Sequence, residues 1–181
     1  MPRIKGDPGT EIAGAALLAY VNNLRADVIR PILAKYNITD IEPEEWYPVA
    51  PLLDAMDEMM DERNFDEMMV AVGMEVVNFA VNPLEMPGVT LEDMLMGWNE
   101  HFHANHRGGN VGEIISEKLS ETSFRITHRH IYPDGLNYGM AYAFARGFLP
   151  KGTDFVVKYE NNFKRLDYGN GDETVIIVEW R

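Results

Sequence analysis

A chain of 181 residues with 46% apolar side chains is long enough to bury a core and too hydrophobic to be a disordered segment. A net charge of −13 leaves no positive stripe of the kind that nucleic acid or anionic lipid requires. The complete absence of cysteine removes disulfide frameworks, thiolate zinc sites, iron–sulfur clusters and thiol catalysis together.

Residues 1–9 read as a flexible tail, followed by a single domain over 10–181. The opening residues Met-Pro-Arg-Ile-Lys-Gly-Asp-Pro-Gly lack the apolar stretch of a secretion signal. No run approaches the roughly 18–20 apolar residues of a membrane span, so the expectation is a soluble, cytoplasmic protein. Thr10 is expected to cap a long helix. Leu17, Val21, Leu24 and Val28 recur on it every three or four residues, flanked by Leu18, Ile29 and Leu33. Pro31 should kink or interrupt that helix near Arg30.

Ile38 to Pro51 carries three prolines and reads as a connection, with Trp46 and Tyr47 folding back as a lid on the core. A short helix with Leu52, Leu53, Met56, Met59 and Met60 follows, then one from about Asn64 to Val81. Pro83 and Pro87 close that region. The charges in the run from Asp54 to Glu67 are almost all negative and read as a solvated face. Thr90 and Asp93 form a capping box for a helix striped by Leu91, Met94, Leu95, Trp98 and Phe102.

After the glycine-rich turn Arg107–Gly112 the period changes to two. Glu113–Leu119 is expected to pair as a hairpin with a strand on which Phe124, Ile126, His128, His130 and Tyr132 share the core-facing side. Asp134–Leu149 reads as a lone helix across the sheet, with Leu136, Met140, Phe144 and Phe148 spaced by four. Phe155–Tyr159, a turn around Tyr168–Asp172 and Thr174–Trp180 complete the chain. The class is α+β: an N-terminal helical layer packed on a C-terminal antiparallel sheet, in the order ααααββαββ.

Chemistry-bearing residues are few. There is no Gly-x-Ser-x-Gly nucleophile elbow, and the 107–112 loop lacks the Gly-Lys-Ser/Thr of a phosphate-binding loop, so no catalytic residue is assigned. On a regular helix His103 and His106 lie about 60° apart, whereas His101 and His103 lie about 160° apart. His103 and His106 together with His128 and His130 form a candidate set for Zn²⁺, provided the two segments meet. The plainer alternative is that these imidazoles are satisfied by neighbouring groups. Eleven methionines read first as core filler and second as the lining of an adaptable cavity. For a cavity between helices and sheet, the candidate wall is Trp98, Phe102, Phe124, Ile126, His128, His130, Tyr132 and Met140.

The segment from Tyr132-Pro-Asp-Gly-Leu-Asn-Tyr-Gly to Pro150, with Arg165–Asp172 and the strand ending at Trp180, resembles the vinyl-4-reductase domain family. That family is grouped with haem nitric-oxide-binding (H-NOX) sensors and with subunits of Golgi transport particles. The resemblance implies helices packed on an antiparallel sheet, and a ligand-binding, sensory or scaffolding role, often as a homodimer and without catalysis. Zinc-containing members use cysteines near the final hairpin, and this chain has none. Haem-binding members pair a helix histidine with Tyr-x-Ser-x-Arg about thirty residues later. Here His103 precedes Tyr132, but Asp134 and Leu136 stand in place of the serine and arginine. His101, His103 or His106 would be the axial candidates.

The expected function is therefore a non-catalytic module that binds a small apolar ligand between helices and sheet. A homodimeric interaction domain without ligand is the first alternative, and a metal- or haem-dependent protein using the histidines is the second. The cofactor, zinc or haem or none, is left open.

Overall fold

The computed structural model describes residues 6–23, 26–60, 63–165 and 172–181. The helical half is α1 (Gly14–Asn23), α2 (Ala26–Lys35), α3 (Ala50–Met59), α4 (Phe65–Ala80) and α5 (Leu91–Ala104), and α6 (Asp134–Phe148) lies between later strands. β4 (Gly112–Ser120), β5 (Ser123–His130), β6 (Phe155–Tyr159) and β7 (Thr174–Trp180) form an antiparallel sheet in the order β4-β5-β7-β6. The α+β class and the two-layer arrangement agree with the expectation from sequence.

The N-terminal reading needs correction. Thr10 does not cap a long helix. It precedes a short strand, β1 (Glu11–Ala13), which is flanked by β2 (Trp46–Pro48) and β3 (His106–Arg107) in a second small sheet. Three extended residues satisfy their backbone groups only through these distant partners, so no local period marks them. Trp46 and Tyr47 are strand residues rather than a lid. The Arg107 guanidinium stacks 4.5 Å above the Trp46 ring. Helix α2 runs through Pro31, and the expected single helix is instead two, α1 and α2. Residues 6–9, read as part of a tail, form a turn in which the Asp7 carboxylate accepts from the Asn110 backbone N–H at 3.1 Å. The turn expected around Tyr168–Asp172 lies almost wholly outside the described residues.

Where the signals are local, the elements match. The Thr90 hydroxyl accepts from the Asp93 N–H at 3.1 Å, and the Asp93 carboxylate accepts from the Thr90 N–H at 2.8 Å, closing the capping box that starts α5. At the start of β4, Gly112 has φ +87°, and a Cβ there would strike the Arg129 carbonyl oxygen at 1.9 Å. α5 is tied to the sheet by two bonds across the layers. Asn99 Oδ1 accepts from the Ile114 N–H at 2.8 Å, and Ser116 Oγ donates to the Leu95 carbonyl at 2.7 Å.

Two hydrophobic clusters fill the interior. One joins α1, α3 and α4 to Tyr132 and Leu136. The other joins α5 and α6 to the inner face of the large sheet through Phe124, Ile126, Ile176 and Val178. Helices α4 and α6 meet backbone to backbone. A Cβ on Gly73 would lie 2.1 Å from the Leu136 carbonyl oxygen, and one on Gly139 would lie 2.0 Å from that of Val70. Phe102 and Met140 touch both clusters. The space between the clusters is where packing gives out. Among the described residues, no helix is long and apolar enough to cross a membrane.

Candidate functional site

A cavity of about 470 Å³ opens at that junction, between α1, the end of α4, α5, β5 and α6. Helix α1 presents Ala15, Ala16 and Ala19 to it, and α5 presents Trp98 and Phe102. Three small side chains on one helix face leave the volume, and the aromatic rings opposite do not reach across it. The rim includes exposed residues, Phe79, Ala80 and His101. Met86, Met94 and Met140 line the space. Met56, Met59 and Met69 are buried in the core instead, and Met96 is exposed. Most of the methionine supply is therefore packing.

Of the eight wall residues expected from sequence, Trp98, Phe102, His130, Tyr132 and Met140 line the cavity. Phe124, Ile126 and His128 do not, although all three are fully buried. They share the strand face with His130, but they sit further along β5 under Trp98 and the second cluster. The ring centroids of Trp98 and His128 are 5.0 Å apart, edge to face.

The polar groups at the floor form two separate chains of hydrogen bonds, and these fix the tautomers. His106 Nδ1 lies 2.7 Å from the Phe102 carbonyl, which can only accept, so Nδ1 carries the proton. Its bare Nε2 then accepts from the Tyr132 hydroxyl at 2.7 Å. In the second chain the Tyr132 backbone N–H donates to His130 Nδ1 at 3.2 Å. His130 Nε2–H therefore donates to His128 Nδ1 at 3.1 Å. This leaves the proton of His128 on Nε2, a buried atom without a partner among the described residues.

Burial holds these imidazoles uncharged. It pushes His128 down to about 3, with the nearby Arg165 cation adding to the effect. His130 is lowered well below the usual histidine range, first by burial and then by His128, Arg165 and His106. His106 is lowered by burial, which outweighs its bond to the Phe102 carbonyl. The Tyr132 phenol is raised well above its ordinary value by burial, and so stays the proton donor toward His106.

The histidines do not assemble as a metal centre. His128 and His130 are bonded to each other, His106 is bonded to Tyr132, and His103 is exposed. Among the described residues no group of three or more His, Cys, Asp or Glu is placed to hold a metal ion. Alternation on β5 puts two imidazoles side by side, but α5 ends with His103 turned to solvent.

Sequence reasoning missed two wall residues that matter. Tyr20 is 7% exposed and stacks on Tyr132 with centroids 5.4 Å apart; its hydroxyl has no hydrogen-bond partner among the described residues. Asn137 is buried on the opposite wall, and its amide N–H donates to the Pro133 carbonyl at 3.1 Å. Its Oδ1 is left without a partner among the described residues. The alanine-rich face of α1 was the available signal for this side of the cavity.

No protein-family profile matches the chain, and no curated protein matches it. Solved structures do. An H-NOX protein from S. oneidensis in the Fe(II)NO ligation state superposes with a TM-score of 0.68, over 94% of this chain and 99% of its own, at 12% identity. An oxygen-binding H-NOX domain related to soluble guanylate cyclases, in its oxygen complex, gives a TM-score of 0.65 over 94% of this chain and 95% of its own, at 14% identity. The fold is that of the H-NOX domains.

Whether an H-NOX fold holds haem depends on the wall. In the haem-binding relatives implied by the sequence resemblance, the Tyr-x-Ser-x-Arg motif grips the haem carboxylates, and its places are taken here by Tyr132, Asp134 and Leu136. Here the Tyr132 hydroxyl is engaged by His106, and Asp134 is buried and paired with Arg165 at 3.1 Å. Leu136 gives the wall a hydrocarbon surface, and among the described residues no lysine or arginine lines the cavity. The buried Arg165 also donates to the Tyr132 carbonyl and is not part of the wall. The carboxylate-gripping half of an H-NOX haem site therefore does not fit these residues. On the imidazole side, His101 borders the cavity, while His103 does not.

Proposed function

We propose that this chain is a non-catalytic small-molecule-binding module of the sensory kind, with its ligand site in the cavity between α1, α5 and the large sheet. The supporting observation is the unfilled space itself. Its volume falls in the range of small-molecule sites, roughly 300–1,000 Å³, and it is apolar with a few convergent polar groups. The unpartnered Tyr20 hydroxyl and Asn137 carbonyl oxygen supply those groups. Residues 10–181 act as one binding unit in this reading. Kinship with vinyl-4-reductase domains and transport-particle subunits rests on the segments 132–150 and 165–172 and the strand ending at Trp180, and belongs to the same proposal.

Ala19, 3% exposed, lines the space from α1. The test is a thermal-shift screen of a fragment library on the wild-type protein and on Ala19→Trp, which places a large ring in the cavity. Hits that stabilise the wild type and are lost in the folded variant support the reading. A wild type that no fragment stabilises, and that carries nothing detectable by native mass spectrometry after purification, overturns it.

A second reading, a haem protein, has one observation in its favour: His101 at the rim of the cavity in a fold whose solved examples include an Fe(II)NO state. It requires a grip on the haem carboxylates other than the one at 132–136. A haemin titration followed by visible absorption decides between the two. Pairing of two copies through the helical layer is a further proposal, and sedimentation across a concentration series tests it.

A further inference from the structure

We infer that the cavity selects an uncharged, largely apolar molecule that carries a hydrogen-bond donor, and rejects carboxylates, haem included. This rests on the cavity being the ligand site, as proposed above, and names what it takes.

Three observations carry the inference. The wall carries no permanently charged side chain: among the described residues it contains no Lys, Arg, Asp or Glu. An ion entering it would lose its hydration with no opposite charge to replace it, the costliest form of burial. The buried cation nearest to the floor is already committed. Arg165 gives its guanidinium to the Asp134 carboxylate and to the Tyr132 carbonyl, and its backbone N–H to Thr174 Oγ1 at 2.8 Å. Recruiting it for a guest would break its buried ion pair with Asp134, which is 2% exposed.

The polar groups that remain are matched to a neutral guest. Asn137 Oδ1 can only accept, and the Tyr20 hydroxyl can donate or accept. His106, His130 and the Tyr132 hydroxyl are spoken for by one another and by backbone groups. A guest that places an N–H or O–H against Asn137 Oδ1 and a second polar atom against the Tyr20 hydroxyl, with hydrocarbon elsewhere, satisfies both wall groups. The chain's net charge of −13 acts in the same direction, since its field disfavours the approach of anions.

The experiment uses a matched set of probes: naphthalene-2-carboxamide, naphthalene-2-carboxylate and naphthalene, titrated calorimetrically at neutral pH, together with haemin followed by absorption. The expected order has the amide binding at least about tenfold tighter than the carboxylate. Tyr20→Phe and Asn137→Leu are each expected to weaken the amide by about three- to tenfold without weakening naphthalene. Leu136→Arg should narrow or reverse the preference by putting a cation in the wall. Should that variant fail to fold, the wild-type ratio and the two conservative variants still decide.

A carboxylate that binds as well as the amide, or a one-to-one haemin complex with a sharp Soret band, overturns the selection for neutral guests and leaves the cavity as a binding site. If none of the four probes binds, the stated selection falls, and the fragment screen and native mass spectrometry described above decide separately whether the cavity is a ligand site.

Discussion

Small residues are used twice in this molecule, with opposite results. Along the contact between α4 and α6, Gly73 and Gly139 bring two backbones together so closely that no side chain could intervene. On α1, Ala15, Ala16 and Ala19 face large rings on α5 and leave a space of about 470 Å³. A small side chain therefore says nothing by itself about packing. The outcome depends on whether the facing element can approach, and α5 cannot, because Asn99 and Ser116 tie it to the sheet.

Four perturbations test that contrast. The largest effect is expected from acid, which attacks the buried imidazole pair behind the cavity and spares the glycine contact. His128 takes up a proton near pH 6.5 when unfolded but only at about 3 when folded. Between those values the unfolded chain binds more protons, so stability falls as pH drops, by up to about 5 kcal/mol for this group alone. Urea unfolding at about pH 7 and about pH 4.5 measures it, and His128→Leu should flatten the dependence. Hydrogen exchange should show α4 and α6 opening last.

Next comes Gly139→Ala, which forces a methyl group against the Val70 carbonyl and should cost about 2–4 kcal/mol in thermal or denaturant unfolding. The same kind of addition on α1, Ala16→Leu, enters open volume instead. It should stabilise by about 0.5–2 kcal/mol while abolishing ligand binding. Opposite signs for these two substitutions would sharpen the contrast, and equal signs would break it. The smallest effect is expected on the outer face of the sheet. Lys158 pairs with Glu179 at 2.7 Å with both side chains about half exposed, so Lys158→Ala should change stability by no more than about 0.5 kcal/mol.

What could be read in advance follows the range of the interactions. The start of α5 was legible because Thr90 and Asp93 satisfy each other within one turn. The inner face of β5 was legible because alternation is a property of the strand alone. β1, β2 and β3 were not, since Ile12 is extended only by pairing with Tyr47 and His106, dozens of residues away. The site was half visible. Parity on β5 put His128 and His130 on one face, but only the position of Trp98 decides that His130 meets open space and His128 does not. The metal set failed on the same ground, because helical angles cannot say that α5 ends with His103 in solvent. Tyr20 and Asn137 gave no signal in sequence, because what distinguishes them is a missing partner.

The bond from the Tyr132 phenol to His106 joins the end of β5 to the segment just beyond α5, and so spans the floor like a tie rod. A rigid hydrocarbon wall would set an upper limit on guest size by collision. Here one O–H···N link holds the floor together instead, and the strand at 106–107, paired with Glu11 and Ile12, is anchored to the end of β5 through that single proton.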